Sequence, residues 1–348
     1  MTHDDRPLLI TGARIVSGGS AVDDGWVRFE RGRIAARGSG TPPVHDGETL
    51  DADGRILTPG FVDVHVHGGG GADFADGPDA VARVVGMHRA HGTTRTVLSL
   101  VSAPVDALAE TLRMLAPVVH ADPLLLGIHL EGPFLSPDNK GAHDPEALTA
   151  PTPDGVQSLL AAADDTLVLV TIAPELPGAL DAIGAFTDAG ATVAIGHTTA
   201  DLEVAGAGFD AGATQLTHAF NAMPGFAHRA PGPIGASLER PGVVLELIAD
   251  GLHVHPVVVA ALFRMAPGRV ALITDAMSAA GFGDGDYRLG TLRVTVEDGA
   301  ARLDSGSLAG STLTLDAAIR TVVGAGIPLE EAVLAATATP ARAIGRPE

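Results

Sequence analysis

Residues 58–71 read TPGFVDVHVHGGGG, and the character of the chain changes at this stretch. A short apolar run begins after Pro59 and ends at a cluster of glycines, which is typical of a buried β-strand. The run carries two histidines, His65 and His67, two positions apart. Side chains with this spacing point to the same side of a strand, so both imidazoles are predicted to reach one ion.

Apolar β-type segments alternate with Ala-rich helical segments from Pro59 onward. The β-type segments, about eight in number, are FVDVHVH, TTRTVLSLVS, LLLGIHLEG, LVLVTIAPE, ATVAIGHTT, ATQLTHAFNAM, VVLELIADG and RVALITDAM. Such alternation is typical of an α/β protein with a parallel sheet and crossover helices. The number of segments and their span of roughly 215 residues favour a closed (β/α)8 barrel of the TIM type over an open doubly wound sheet.

Two structural units are predicted. Residues 1–58 contain short strand-like segments separated by Gly-containing turns, which predicts a small β-sandwich module built mainly from the N-terminus. Residues 59–345 are predicted to form the barrel. Within it, DYRLGTLRVTVEDGAARLD at 286–304 indicates a β insertion, after which the chain returns to helix.

Candidate metal ligands recur at the carboxyl ends of successive predicted strands, where a barrel assembles its active site. They are His65, His67, Glu131, His197 and His218. A single histidine at a strand end is more often structural, but four histidines and one glutamate in register with the strand ends argue against a coincidental arrangement. The sequence therefore predicts a metal centre.

The kind of ion follows from the available side chains. The chain has no cysteine, so a transition metal must be held by imidazole and carboxylate. This ligand set suits Zn²⁺ first, with Fe²⁺, Mn²⁺ or Co²⁺ as alternatives, and one or two ions per subunit. A bound ion lowers the pKa of water toward about 7. Asp275, at the last predicted strand, is the expected base, with a helix N-cap or a further metal ligand as alternatives.

Composition excludes several classes of function. The formal net charge of −20 argues against general binding to nucleic acid or acidic membranes, because both need a basic face. No apolar run approaches the roughly 20 residues of a membrane span. The N-terminal sequence MTHDDRP is too polar for a secretory signal, and the absence of cysteine fits a reducing compartment. A cytoplasmic protein with a small-molecule substrate is expected.

Several motifs resemble the amidohydrolase superfamily and, within it, the N-acetylglucosamine-6-phosphate deacetylases. The resemblance runs from about Pro59 to Gly345 and is carried by TPGFVDVHVHGGGG, GIHLEGPFLSPDNKGAHDP, TIAPE, AIGHTTA, THAFNAM, GLHVHP and ITDAM. HLEGPF followed by KGAH is the most specific pair. The resemblance implies hydrolysis of N-acetyl-D-glucosamine 6-phosphate to D-glucosamine 6-phosphate and acetate, in amino-sugar catabolism.

The resemblance also implies roles for individual residues. Glu131, His197 and His218 would form the principal metal site. His65 and His67 would add a second site, since relatives without this pair use one metal.

The catalytic and substrate-binding residues are implied in the same way. Asp275 would be the acid/base, and His143 would help to polarise the amide carbonyl. The substrate-binding residues would be Ala142, Asn221, Ala222, Arg229, Asp250, Gly251, Leu252, His253, Leu308, Ala309 and Gly310. Arg229 is the best phosphate anchor, because a guanidinium donates two parallel hydrogen bonds; a surface arginine is the alternative. Some relatives complete the phosphate site from a neighbouring subunit, so a homodimer is expected, with His253 or His255 at its interface.

Lys140 narrows the choice among relatives, because it is the only lysine in the chain. Many binuclear amidohydrolases bridge their ions with a carbamylated lysine on a barrel strand, whereas Lys140 lies in a Pro-Asp-Asn-Lys-Gly turn. Glu131 is expected to serve instead, which disfavours dihydroorotase, hydantoinase and urease-like activities.

Other interpretations stay open at this level. One is a deacetylase of another N-acetylhexosamine 6-phosphate, such as N-acetylgalactosamine 6-phosphate. Another is a non-catalytic binding protein on the same fold. Relatives usually continue past the segment ARAIGRPE with strands that rejoin the small module, so here that module is expected to be truncated or differently closed.

Overall fold

A five-stranded sheet occupies the N-terminal part of the structure, a computed structural model that describes residues 7–346. Its strands are β1 (Leu8–Ser17), β2 (Ser20–Glu30), β3 (Arg33–Ser39), β4 (Glu48–Asp51) and β5 (Ile56–Leu57). The order is β3-β2-β1-β4, with β5 also paired to β1. The antiparallel pairs β1–β2 and β2–β3 are the hairpins that the Gly-containing turns predict. The first six residues of the predicted module lie outside the described residues.

A (β/α)8 barrel follows, which confirms the predicted fold class. The strands of this region are β6 (Phe61–Val66), β7 (Gly68–Gly69), β8 (Ala72–Asp73), β9 (Thr93–Val101), β10 (Leu125–Glu131), β11 (Leu167–Ile172), β12 (Thr192–Ile195), β13 (Gln215–Leu216), β14 (Val244–Ile248) and β15 (Val270–Ile273). All except the β7–β8 hairpin form one parallel sheet in the order β15-β14-β13-β12-β11-β10-β9-β6.

Backbone hydrogen bonds close this sheet into a barrel just beyond its last strand. The N–H of Asp275 donates to the carbonyl of His65 at 2.8 Å, and the N–H of His67 donates to the carbonyl of Ala276 at 2.9 Å. The seam between β15 and β6 therefore joins the predicted base to the predicted histidine pair.

The helices surround the sheet. They are α1 (Pro78–Ala90), α2 (Val105–Ala121), α3 (Pro153–Ala163), α4 (Ala179–Asp188), α5 (Leu202–Asp210), α6 (Gly232–Leu238), α7 (Pro256–Met265), α8 (Leu315–Gly324), α9 (Leu329–Ala335) and α10 (Ala338–Ala343). Across residues 7–346, none of them combines the length and the apolar character that a membrane crossing requires. The main apolar core lies between the helices and the outward faces of the strands.

Strand alternation determines which side chains face the barrel interior. In β10, Ile128 and Leu130 are fully buried against the helical layer, whereas the intervening His129 and Glu131 share the opposite face. Successive side chains of a strand point to opposite faces, so a polar residue at every second position lines the interior. This alternation delivers Glu131 to the inner mouth of the barrel.

Three short strands form an antiparallel meander where the sequence predicts a β insertion. They are β16 (Gly285–Leu289), β17 (Leu292–Glu297) and β18 (Ala300–Arg302). The Oγ1 of Thr291 in this meander donates to Asp144 Oδ2 at 2.7 Å, which ties the insertion to the loop after β10. On this basis we propose a small β module at 1–58 and a barrel domain at 59–345 that includes the insertion.

His88 on α1 makes folding stability depend on pH. It is 1% exposed, its Nε2–H donates to the carbonyl of Gly68 at 3.0 Å, and burial lowers its pKa from 6.5 to about 4. Between these values the unfolded chain binds a proton that the folded chain rejects, so stability is present above pH 6.5 and is lost toward pH 4. We expect His88→Gln to weaken this acid sensitivity by up to about 3 kcal/mol, measured as unfolding free energy at pH 7 and pH 4.5.

A partly exposed histidine provides the control for that measurement. His45 is partly exposed in a loop of the small module, and His45→Gln is expected to leave the pH dependence as in the wild type. Equal pH dependence in the His88→Gln variant and the wild type would contradict the assignment.

Candidate active site

The predicted ligands lie together at the carboxyl end of the barrel. His65 is on β6, His67 follows that strand directly, and Glu131 is the last residue of β10. His197 and His218 each lie two residues beyond β12 and β13. Parallel strands place their carboxyl ends at one edge, so residues 153 positions apart in sequence (65 and 218) share one cluster.

Glu131 is the centre of this cluster. Its Oε1 lies 3.1 Å from Nε2 of both His197 and His218, and 3.3 Å from Nε2 of His65. Its Oε2 lies 3.1 Å from Nε2 of His67. One carboxylate therefore contacts all four predicted histidine ligands.

Ring tautomers show what the cluster can bind. Nδ1 of His197 lies 3.0 Å from the carbonyl oxygen of Asn139, and Nδ1 of His65 lies 3.0 Å from a carboxylate oxygen of Glu246. Because these oxygens can only accept, a neutral ring at either position carries its proton on Nδ1. Each Nε2 then turns a lone pair toward the oxygens of Glu131.

Lone pairs that converge in this way fit a cation. Nε2 of His197 and His218 lie 2.9 Å apart, and each lies 3.1 Å from Glu131 Oε1. Ligand atoms around a tetrahedral Zn²⁺ with bonds of 2.0–2.1 Å lie about 3.3 Å apart. His65, His67, Glu131 and Asp275 form a second group whose ligand atoms lie within 4.8 Å of one another. The donor set therefore fits one ion and offers ligands for another.

His143 differs from the other clustered histidines in its hydrogen bonding. It is buried, and its Nδ1 accepts the backbone N–H of Ser102 at 3.2 Å. The neutral ring then carries its proton on Nε2, which lies 3.3 Å from Glu131 Oε2. Although His143 lies close enough to Glu131 and His197 to be grouped with them as a ligand, this tautomer makes it a hydrogen-bond donor toward the site.

Charges in the cluster influence each other strongly. Burial would raise the pKa of Glu131, but His65, His143 and His197 outweigh it and hold the pKa well below its usual range. Burial lowers the pKa of His197 to about 4, so this ring is neutral. Burial would also raise the pKa of Asp275, but His67 and His65 keep it below the ordinary value. Asp275 is therefore an anion that can accept a proton.

Strained backbone surrounds the same residues. His197, His218 and Asp275 have φ angles of 47°, 25° and 49°, in a region that non-glycine residues avoid. Such conformations cost of the order of 1–3 kcal/mol each and persist where surrounding structure imposes them, as they do at many active sites. At Gly141 (φ 54°), a Cβ would lie 2.9 Å from His197 Cε1, so the loop can approach this ring only as glycine.

A cavity of about 610 Å³ opens over the cluster. Of the predicted site residues, those that line it are His67, Glu131, Ala142, His143, His197, His218, Asn221, Ala222, His253, Asp275, Leu308 and Gly310. His65 lies beneath this layer and is fully buried. The volume suits a ligand of the size of a sugar phosphate.

Five predicted substrate residues do not line the cavity; they are Arg229, Asp250, Gly251, Leu252 and Ala309. Arg229 is exposed on the loop before α6, so the structure does not bring it to the cavity of its own chain. Asp250 instead orients His253, with its Oδ2 2.6 Å from His253 Nδ1. His255 accepts the N–H of Val257 at 3.2 Å and so caps α7.

Sequence reasoning missed several polar residues of the site. Among the described residues that line the cavity, Lys140 is the one lysine or arginine, and its Nζ contacts main-chain carbonyls of Gly141 and His143 at 3.5 and 3.4 Å. Asp63 and Glu246 are both fully buried beneath the cluster. A charged residue inside an otherwise apolar strand, as in FVDVHV and VLELI, is the signal that could have identified them.

Comparison with known sequences agrees with this geometry. The sequence profile of the amidohydrolase family matches residues 56–348, which include every clustered ligand. The chain belongs to the amidohydrolase family. Amidohydrolases depend on metal ions, in agreement with the convergent donors around Glu131.

Individual relatives within the amidohydrolase family are specific deacetylases. The chain is 38% identical over 350 residues to an N-acetylgalactosamine-6-phosphate deacetylase from Escherichia coli O157:H7, covering 99% of this chain and 90% of the relative. It is 38% identical over 294 residues to an N-acetylglucosamine-6-phosphate deacetylase from Vibrio furnissii, covering 83% and 74%. A solved structure of a variant N-acetyl-D-glucosamine-6-phosphate deacetylase from Mycobacterium smegmatis, in complex with N-acetyl-D-glucosamine-6-phosphate, superimposes with a TM-score of 0.94 at 42% identity, covering 98% and 91%.

Proposed function

We propose that this amidohydrolase removes the acetyl group of N-acetyl-D-glucosamine 6-phosphate by hydrolysis, giving D-glucosamine 6-phosphate and acetate. The observation that carries the proposal is the joint presence, in one cavity, of the Glu131 cluster, anionic Asp275 and the Nε2–H of His143. The deacetylase relatives and the Mycobacterium smegmatis structure with its bound sugar phosphate support the choice of substrate.

The metal would supply an activated water molecule, since an ion with an open coordination position lowers the pKa of bound water toward about 7. Glu131, His197 and His218 would hold the principal ion, with His65 and His67 available to a second. Zn²⁺ suits these nitrogen and oxygen donors best, and Fe²⁺, Mn²⁺ and Co²⁺ are alternatives.

The chain's own residues would move the protons. Asp275 would accept a proton from water while the water oxygen bonds to the acetyl carbon. The Nε2–H of His143 would stabilise the negative charge that develops on the carbonyl oxygen. The carbon–nitrogen bond then breaks, and Asp275 returns the proton to the departing sugar amine. Because Asp275 is ionised, it can accept the proton of water. Its contact with His67 keeps it beside the predicted metal ligands.

The sugar phosphate needs positive charge and N–H donors in a chain that carries a net charge of −20. We propose that Lys140 supplies that charge within the cavity, with Ala142, Asn221, Ala222 and His253 contacting the sugar phosphate and Leu308 to Gly310 closing over the acetyl side. Asp250 orients the His253 ring. The pKa of Asp250 is lowered because its hydrogen bond with His253 outweighs the effect of burial.

Arg229 would contribute from outside its own cavity. Because it is exposed, we propose that the protein is a cytoplasmic homodimer in which the loop of Arg229, with Gly251 and Leu252, lies near a partner's cavity.

One experiment tests the proposed activity. Acetate release is measured from N-acetylglucosamine 6-phosphate, its galacto epimer and unphosphorylated N-acetylglucosamine, with metal content determined on the same preparation. We expect release from a 6-phosphate, with kcat/KM at least about tenfold above that of the unphosphorylated sugar, since one charge-assisted hydrogen bond contributes about 1.5 kcal/mol or more. No release from any of the three by metal-replete protein would refute the proposal.

N-acetylgalactosamine 6-phosphate is the second candidate substrate. The Escherichia coli relative that is named for it matches 99% of this chain at 38% identity, as high as the glucosamine enzyme from Vibrio furnissii. A larger kcat/KM for the galacto epimer in the same assay would assign the chain to that substrate.

A further inference from the structure

We infer that Glu246 is a positioning residue that holds the His65 imidazole in the orientation needed to bind an ion. The inference rests on the metal centre proposed above and adds to it a residue that does not touch substrate. Glu246 would be the oxygen partner behind His65, on the side of the ring opposite the ion.

The strand that carries Glu246 explains why it points inward. β14 reads VLELI, and Leu245 and Leu247 are fully buried on the face toward the helices. Glu246 lies between them, so its side chain points to the barrel interior, where it is also fully buried. A carboxylate at this place is costly unless something compensates its charge.

Contacts of one oxygen connect Glu246 to both parts of the ligand cluster. Its Oε2 lies 3.0 Å from Nδ1 of His65 and 3.3 Å from the backbone N of His218. Because a carboxylate can only accept, Nδ1 of His65 carries a proton, and in the neutral ring the lone pair of Nε2 faces Glu131 at 3.3 Å. The contact therefore selects both the tautomer and the ring orientation that a metal ligand needs.

The positive charge that compensates Glu246 would come from an ion bound to the opposite side of the His65 ring. Glu246 forms no ion pair with a lysine or arginine among residues 7–346, and its Oε1 has no hydrogen-bond partner there. A metal-bound imidazole is a strong donor through its remaining N–H, and a carboxylate behind it raises the basicity of the ligand. The buried charge of Glu246 and an ion on His65 would therefore stabilise each other.

Glu246 should increase the affinity for an ion bound through His65 more than the affinity for an ion at His197 and His218. Glu246 contacts the ring of His65 but only the backbone N–H of His218, and that contact is longer. The hydrogen bond to the backbone needs an acceptor oxygen, which glutamine also supplies. Glutamine can also accept the Nδ1–H of His65, so Glu246→Gln removes only the negative charge, and this loss weakens the bond to a metal-bound imidazole more than the bond to a neutral backbone N–H.

The test compares Zn²⁺ binding to metal-free wild type, His65→Gln, Glu246→Gln and the double variant, by competition with a chromophoric chelator. His65→Gln identifies the ion that depends on this ring. We expect Glu246→Gln to weaken that ion's binding by about 10- to 100-fold, and to have little further effect in the His65→Gln background. Glu246→Asp, which keeps the charge, should bind it more tightly than Glu246→Gln.

A buried polar residue of a neighbouring strand provides the matched control. Gln215 on β13 is fully buried, and its side-chain amide donates to the carbonyl of Ala343 rather than to a predicted metal ligand. Gln215→Leu therefore removes a buried polar group away from the ligands and should leave the affinity for each Zn²⁺ ion unchanged. If His65→Gln binds Zn²⁺ weakly but Glu246→Gln binds it within threefold of the wild-type affinity, the inference about Glu246 is overturned, whereas the metal centre is not. Unchanged binding in His65→Gln would overturn the role of His65 in the centre, and the inference with it.

Discussion

Asp275→Asn is expected to lower kcat for deacetylation by about 10²- to 10⁴-fold, with metal content preserved. Asp275 lies at the barrel seam, with Oδ1 3.3 Å from Nε2 of His67 and 3.6 Å from Nε2 of His65. Its pKa is held low, since the neighbouring histidines outweigh burial, so at neutral pH it is ready to accept a proton. Asparagine keeps the size of the side chain but can neither accept that proton nor return it to the amine.

Metal analysis on the same protein separates this role from ligation. Acetate release and ion content are measured together, with Asp286→Asn as the control, since Asp286 is an exposed carboxylate of the meander. A loss of activity that follows a loss of bound ion would make Asp275 a ligand and not the acid/base. Activity within threefold of wild type would exclude both roles.

Glu131→Gln is expected to have the larger effect on metal binding and to reduce activity to background. Five imidazole nitrogens lie within 3.3 Å of the two carboxylate oxygens of Glu131. An amide removes the negative charge and turns an NH2 group toward part of that cluster. Removing one partner of a buried charge pair costs about 3–5 kcal/mol, so we expect metal affinity to fall by at least about 10²-fold.

Ion content after dialysis and acetate release test this prediction. Glu203→Gln, an exposed change on α5, is the control and should retain both. If Glu131→Gln retains its ions and its activity, another residue must anchor the metal. Addition of excess Zn²⁺ should restore little activity, because the amide cannot reproduce the charge that the four ligand histidines share.

The clustering of polar side chains at the strand ends could be predicted, because it follows from the geometry of single strands and of parallel sheets. The alternation of a strand places His65 beside His67 and His129 beside Glu131 on one face, and parallel strands bring their ends together. These rules need no knowledge of how distant segments pack. For the same reason the β insertion could be located, since its turns and alternating side chains are adjacent in sequence.

The substrate residues were harder to predict, because they lie on loops whose course depends on packing. Arg229 is a plausible phosphate ligand by chemistry, yet the loop before α6 leaves it exposed, while the turn after β10 brings Lys140 to the cavity. His255 resembles a site residue in sequence but caps α7. A loop position is decided by the surface against which it rests, which a motif does not encode.

By itself, the sequence determined the fold class and predicted a metal centre at the five clustered residues, because hydrophobic periodicity and residue type act locally. Only the tertiary structure decided which ring nitrogen of a neutral His65, His143 or His197 carries the proton, because a backbone or carboxylate group from a distant segment contacts Nδ1 of each ring. That distribution separates the predicted metal ligands from the hydrogen-bond donor His143. It also reveals Glu246, whose partner His65 lies 181 positions away in the chain.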